Sequence, residues 1–156
     1  MADDDLLRPT LSGTGEPPSL YNTTGFFLSS FFGGPVGAGI YGLANSYRLG
    51  RLKRDLPSVV VIVAASFWLL LFVERQGGLA RLAELMDDRP DRAAQLAVRA
   101  LGLACFGAIY LLHRQHHRAA QVTGAEAVSG WGPGIVAVLA GIAANVAILG
   151  RLTGHH

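Results

Sequence analysis

The stretch "FFGGPVGAGIYGLANSYRLGR", residues 31–51, carries no charge up to Tyr47, holds five glycines and one proline before that point, and then meets arginine. Two readings compete for it. A phosphate-cradling loop needs its glycines between a strand and a helix, and Gly37, Gly39 and Gly42 do satisfy G-x-G-x-x-G. The context fails, because both flanks are apolar and helix-like, with no strand pattern and no acidic residue about twenty positions on. In the other reading the stretch is a helix in lipid. Gly34, Ala38 and Gly42 lie four apart on one stripe, as do Gly33 and Gly37, and small residues at that spacing let helix backbones approach closely.

Composition favours lipid. The chain has 156 residues, of which 51% are hydrophobic and only 15% charged, against about 25% charged in soluble domains. Four stretches approach the ~20 apolar residues that a helix needs to cross ~30 Å of hydrocarbon. The spans expected are about 24–46, 56–74, 93–113 and 132–150. The apolar centres of the first, second and fourth contain no charge, and the third contains only Arg99. The expected architecture is therefore an all-α membrane protein, a single domain over 20–156 formed by a bundle of four transmembrane helices. Rows of small residues recur in the other spans, with Ala100, Ala104 and Ala108 in the third and Ala140 with Ala144, and Ala137 with Gly141, in the fourth. Within the first span Gly33, Gly34 and Pro35 predict a kink or a break into two half-helices.

Residues 1–19 are acidic and rich in Pro, Gly and Ser, which predicts a flexible tail. They lack the basic opening of a cleavable signal peptide. Asn22, Thr23 and Thr24 offer caps for the first helix, and Pro57 suits a helix start. In the second connector Leu79, Leu82, Leu85 and Met86 recur near helical spacing under a charged face, predicting a short interfacial helix that ends at Arg89 and Pro90. Four crossings put six cations on each side: Arg48, Arg51, Lys53, Arg54, Arg114 and Arg118 against Arg8, Arg75, Arg81, Arg89, Arg92 and Arg151. The density of the first set and the acidity of the tail point to both termini on the periplasmic side.

Tyr21, then Phe32-Gly33-Gly34-Pro35 followed by small residues, then Asn45 and the exit "YRLGR", is similar to the first span of an uncharacterised family of small multi-helix bacterial inner-membrane proteins. The similarity covers about thirty residues. It implies a bacterial inner-membrane location and carries no activity.

The candidate chemistry is sparse. His113, His116 and His117 share a helix face as a metal site could use, but Arg114 and Arg118 intervene, and the group reads as a basic helix end contacting anionic lipid or a partner. Arg99 is placed to snorkel to the interface or to meet a partner's acid. Trp131 suits the headgroup level, Asn45 and Asn145 suit interhelical hydrogen bonds, and Cys105 suits packing. Asp87, Asp88 and Asp91 match no calcium loop. The apolar centres of the spans contain no Asp, Glu or Lys, which argues against an intramembrane proton relay. G-x-S-x-G and H-E-x-x-H are also missing from the sequence. No catalytic residue, cofactor, metal, nucleic acid or small-molecule substrate is expected. The expected partners are the bilayer and other membrane subunits or further copies of the chain. The function expected is that of an accessory, structural or assembly subunit, with a small homo-oligomeric transporter or channel as the alternative.

Overall fold

The computed structural model describes residues 20–87, 89–122 and 128–153, so the tail expected at 1–19 lies outside the described residues. Five helices follow in order: α1 (Thr23–Arg48), α2 (Leu52–Arg75), α3 (Gly78–Met86), α4 (Pro90–Val122) and α5 (Trp131–Thr153). Among the described residues the only extended pairing is a single bridge between Tyr21 and Val128. α1, α2, α4 and α5 each hold a stretch long and apolar enough to cross a membrane. The helix expected in the second connector is α3, whose Leu79 and Ala83 are buried while Leu85 and Met86 face outward. It stops at Asp87, a left-handed residue with φ 49°. Pro90 instead opens α4, where its missing N–H has no role.

α1 does not run straight. The Tyr41 hydroxyl donates to the Asn22 carbonyl at 3.0 Å, although in a continuous helix those residues would stand ~28 Å apart. The Tyr21 amide donates to Asn45 Oδ1 at 3.0 Å across 24 positions. Phe26 stacks on Tyr41 with centroids 5.3 Å apart, and the place a side chain would take at Gly37 is filled by the Ser29 carbonyl. The helix is thus a hairpin, with a first arm over 23–33 and a second over 35–48. The turn is Gly34, at φ 61° and ψ −153°, a region essentially restricted to glycine. Its neighbours enforce it: a residue before proline is driven out of the helical region, and Pro35 suits the first turn of the second arm. The single span expected at about 24–46 is corrected accordingly.

The hairpin forms the centre of the molecule, and glycines set how close each neighbour comes. Gly141 of α5 meets the Gly33 backbone, and Gly102 of α4 meets the Ser30 carbonyl and Gly34. A methyl added at Gly42 would lie 2.7 Å from Ile109 of α4, and one at Gly39 would lie 2.9 Å from Val63 of α2. Phe26, Tyr41, Val59, Cys105, Ile109 and Ala137 form the main core. Leu70, Leu79, Ala94 and Val98 form a second one under α3. The three glycines of the G-x-G-x-x-G pattern thus face three different neighbours and cradle nothing.

The hairpin also changes which residues share an end. The first arm runs parallel to α5, since Tyr21 pairs with Val128 and Ser29 Oγ donates to the Gly134 carbonyl at 3.4 Å. α5 then continues ~33 Å to Thr153. Leu20 and Thr153 therefore lie at opposite ends of the bundle, where four crossings had predicted one side for both termini. Leu20 joins the end that carries Arg48, Arg51, Lys53, Arg54, Arg114 and Arg118.

Gly34→Ala forces a β-carbon into this turn and against Val98 and Asn145, and it is expected to cost about 1–3 kcal/mol. Gly107→Ala, in open space within α4, is expected to be neutral or to stabilise by up to ~1 kcal/mol. Denaturant unfolding in detergent measures both.

Candidate functional site

The most concentrated polar chemistry lies where the second arm, α2 and α4 meet at the basic end. Ser46 Oγ donates to the Gly42 carbonyl one turn back at 3.1 Å. That uses its only proton, so the 3.0 Å contact with His113 Nε2 has the ring N–H as donor. The same nitrogen lies 3.2 Å from Asp55 Oδ2. Arg51, one helical turn before Asp55, brings a guanidinium nitrogen to 3.8 Å from the other carboxylate oxygen. Ser46, Asp55 and His113 are exposed by only 0%, 2% and 1%, so these bonds join three helices away from competing water.

Ser, His and Asp together invite comparison with a hydrolytic triad, and the geometry answers it. A triad holds Ser and Asp on opposite ring nitrogens so that the carboxylate orients the base. Here both oxygens meet Nε2, so the Asp carboxylate competes with the hydroxyl for one N–H. The arrangement is a three-way fastening.

A second polar set surrounds the hairpin turn. Asn145 Nδ2 of α5 donates to the Gly33 carbonyl at 3.4 Å, answering one of the acceptors that the end of the first arm leaves open. Ser30 Oγ donates to the Phe26 carbonyl at 2.8 Å. Arg99 of α4 is half-buried with its guanidinium 5.2 Å above the Phe31 ring, a cation–π contact with the first arm. Its partner is therefore an aromatic face of this chain.

The residues singled out by small size or charge separate into two groups. Gly33, Gly34, Gly37, Ala38, Gly42 and Gly141 are buried inside the bundle, and Ala140 and Ala144 are half-buried. Ala104 and Ala108 face outward. Arg114 and Arg118 are exposed at the basic end, and Trp131 is 73% exposed at the start of α5. The side chains of His116 and His117 lie outside the described residues. His113, grouped with them by spacing, turns inward. Among the described residues no three His, Cys, Asp or Glu side chains gather as a metal site.

Asp55 is the residue that sequence reasoning missed. It stands one position before the second apolar run and next to Arg54, so it reads as part of a basic connector. α2 in fact begins at Leu52, which puts Pro57 in its second turn and carries the carboxylate into the core, contrary to the expectation of spans without acid. A signal was present, since Asp55, Val59, Ser66 and Leu70 fall on one helical face, and all but the half-buried Ser66 are buried.

No protein-family model, curated protein or solved structure matches the chain. Among the described residues, fold and site define an all-helical protein in which α2, α4 and α5 have membrane-crossing length and the fourth apolar helix, α1, is folded into a glycine-turned hairpin.

Asp55→Leu removes the charged acceptor of the His113 N–H and leaves that proton to Ser46 Oγ, and it is expected to cost about 1–3 kcal/mol. Pairing Asp55→Leu with His113→Leu is expected to recover much of that, because an apolar pair tolerates burial better than half a polar one. A double-mutant cycle in detergent, followed by circular dichroism, measures the coupling.

Proposed function

We propose that this chain is a non-catalytic integral membrane protein, an accessory or assembly subunit of a larger bacterial inner-membrane complex. The observation that carries the reading is the outer face of α4. Ala100, Ala104 and Ala108 recur there four apart and exposed, while Val98, Gly102, Cys105 and Ile109 on the opposite face are buried. Against acyl chains a small side chain gains nothing, whereas against another helix it permits close backbone approach. The partner is a further membrane subunit or a second copy, within the bilayer. The reading calls for no nucleic acid, cofactor or small-molecule substrate.

The transporter or channel reading would draw on the hairpin, since re-entrant backbone can line a polar path. The polar groups available for a lumen each make a bond within the hairpin or to a neighbouring helix. Ser29 bonds Gly134, Ser30 bonds Phe26, Asn45 bonds Tyr21 and Asn145 bonds Gly33. The subunit reading is therefore preferred.

The orientation proposed puts the basic end in the cytoplasm. Arg48, Arg51, Lys53, Arg54, Arg114 and Arg118 lie there with Asp55 buried among them, whereas Arg75, Arg81, Arg89 and Arg92 at the far end are diluted by the exposed Glu84 and Asp87. In this orientation the segment leading into Leu20 is cytoplasmic.

In mild detergent, native mass measurement is expected to find the 16.5 kDa chain in a larger assembly. Ala104→Leu with Ala108→Leu is expected to weaken that assembly about tenfold or more. A wild-type protein found only as a lone monomer overturns the reading. In sealed vesicles, single cysteines at Thr24 and Tyr47, in a Cys105→Ser background, are expected to react from the same face, and one at Gln76 from the opposite face. Labelling of Thr24 and Tyr47 from opposite faces would mean that α1 crosses the bilayer.

A further inference from the structure

A groove of about 330 Å³ runs between the first arm of the hairpin and the start of α5, open sideways. Its floor is made by residues with little or no side chain, namely Gly25 and Ser29 on the arm, Gly130 just before α5 and Gly134 on it. Below the floor lies Tyr41, whose hydroxyl fills the places that side chains would take at Gly25 and Gly130. Leu28, Phe32, Ile135 and Leu139 build the walls, so the lining is apolar nearly throughout. Asn22, Thr24 and Trp131 form the mouth, at the end opposite Phe32 and Leu139. From Asn22 to Phe32 the groove follows ten residues of helix, ~15 Å, which is the hydrocarbon depth of one leaflet.

The mouth is at the basic end. Arg48 holds its guanidinium 4.7 Å over the ring of Tyr21, next to Asn22, and the exposed Lys53 and Arg54 follow within the same connector. Among the described residues at this end the one acid is Asp55, which is already engaged by His113. The surroundings of the mouth therefore complement an anion, and the groove complements a single alkyl chain running along the helix axes.

We propose that this groove is a binding site for one acyl chain of an anionic phospholipid, with the phosphate at the Trp131 and Arg48 level and the chain end against Phe32 and Leu139. It rests on the reading of the chain as a membrane protein and is independent of the partner assigned to α4. Gly134 is the residue that keeps the site open. A β-carbon there makes only ordinary contacts, 3.5 Å from Ser29 Oγ and 3.7 Å from Tyr41, so a larger side chain is accommodated locally and projects into the groove.

Two tryptophans allow the site and the membrane reading to be tested separately. Trp68 lies on the outer face of α2, 66% exposed and remote from the groove, while Trp131 stands at its mouth. The full chain is reconstituted in phosphatidylcholine vesicles carrying increasing fractions of phosphatidylglycerol or phosphatidylcholine with brominated chains. In a Trp131→Phe variant, quenching of Trp68 by either lipid is expected to follow bulk composition and reports insertion alone. In a Trp68→Phe variant, Trp131 is expected to reach half-quenching at about a fivefold lower fraction of the anionic lipid, the attraction of one basic side chain for an anionic surface. Arg48→Gln is expected to abolish that preference, and Gly134→Leu to reduce quenching of Trp131 by both lipids while leaving Trp68 unchanged in its own background. Equal quenching of Trp131 by the two lipids, unaffected by Gly134→Leu, overturns the site and leaves only annular lipid. Absence of Trp131 quenching beside normal Trp68 quenching also overturns it and means that protein, from this chain or a second copy, fills the groove. Absence of Trp68 quenching overturns the membrane reading itself.

Discussion

A reversal of the backbone inside an apolar bundle is the constraint on which this structure depends. Each arm that ends at Gly34 leaves peptide groups without helical partners, and such groups are tolerated at depth only when protein surrounds them. The bundle meets that condition by bringing backbone against backbone. Gly102 and Gly141 let α4 and α5 close on the turn, and Asn145 contributes an amide to the Gly33 carbonyl. The number of glycines in the first apolar stretch follows from this. They are the positions at which a central hairpin must be approached from several sides, and only Gly34 also needs a backbone angle that other residues avoid.

The rest of the molecule secures the open end of the hairpin. Tyr41 does so between the arms, stacked on Phe26 and bonded to Asn22. Asp55 and His113 do so from outside, holding Ser46 of the second arm between α2 and α4. The two devices use different chemistry for a reason of depth. Aromatic packing works wherever water is excluded, whereas a carboxylate beside an imidazole belongs near the basic end, where Arg51 supplies a further positive charge. This end also carries five exposed cations among the described residues, Arg48, Lys53, Arg54, Arg114 and Arg118, so fastening, charge and the groove mouth coincide.

Much of the architecture was legible in the sequence because it depends on local signals. Run length and charge located α2, α4 and α5, apolar residues near helical spacing located α3, and Asn22 was readable as a cap, accepting from the Gly25 amide at 2.7 Å. The hairpin was not legible, since Gly33-Gly34-Pro35 is compatible with a kink, a break or a reversal. What decides among them is non-local: the fit of Tyr41 over Gly25 and Gly130, and of Gly102 and Gly141 at the turn. Asp55 and His113 were obscured by neighbouring cations, which made both look like parts of solvated helix ends. Ala104 and Ala108 show the opposite limit. Their spacing was plain, but whether they face inward or outward depends on helix phase relative to partners, which a row of alanines does not record.

The bond between Asn145 and Gly33 spans 112 positions, and this has a consequence for biogenesis. During translation the segment that becomes the hairpin emerges long before α5 exists. Until α5 arrives, the turn lacks both the Gly141 backbone and the Asn145 amide, and two arms this short cannot persist alone in an apolar medium. In the membrane setting proposed above, the nascent segment waits at the membrane surface, inside the insertion machinery or as a provisional straight crossing, and adopts its final form only after α5 is made. Maturation of the hairpin thus ends well after its own segment has been synthesised.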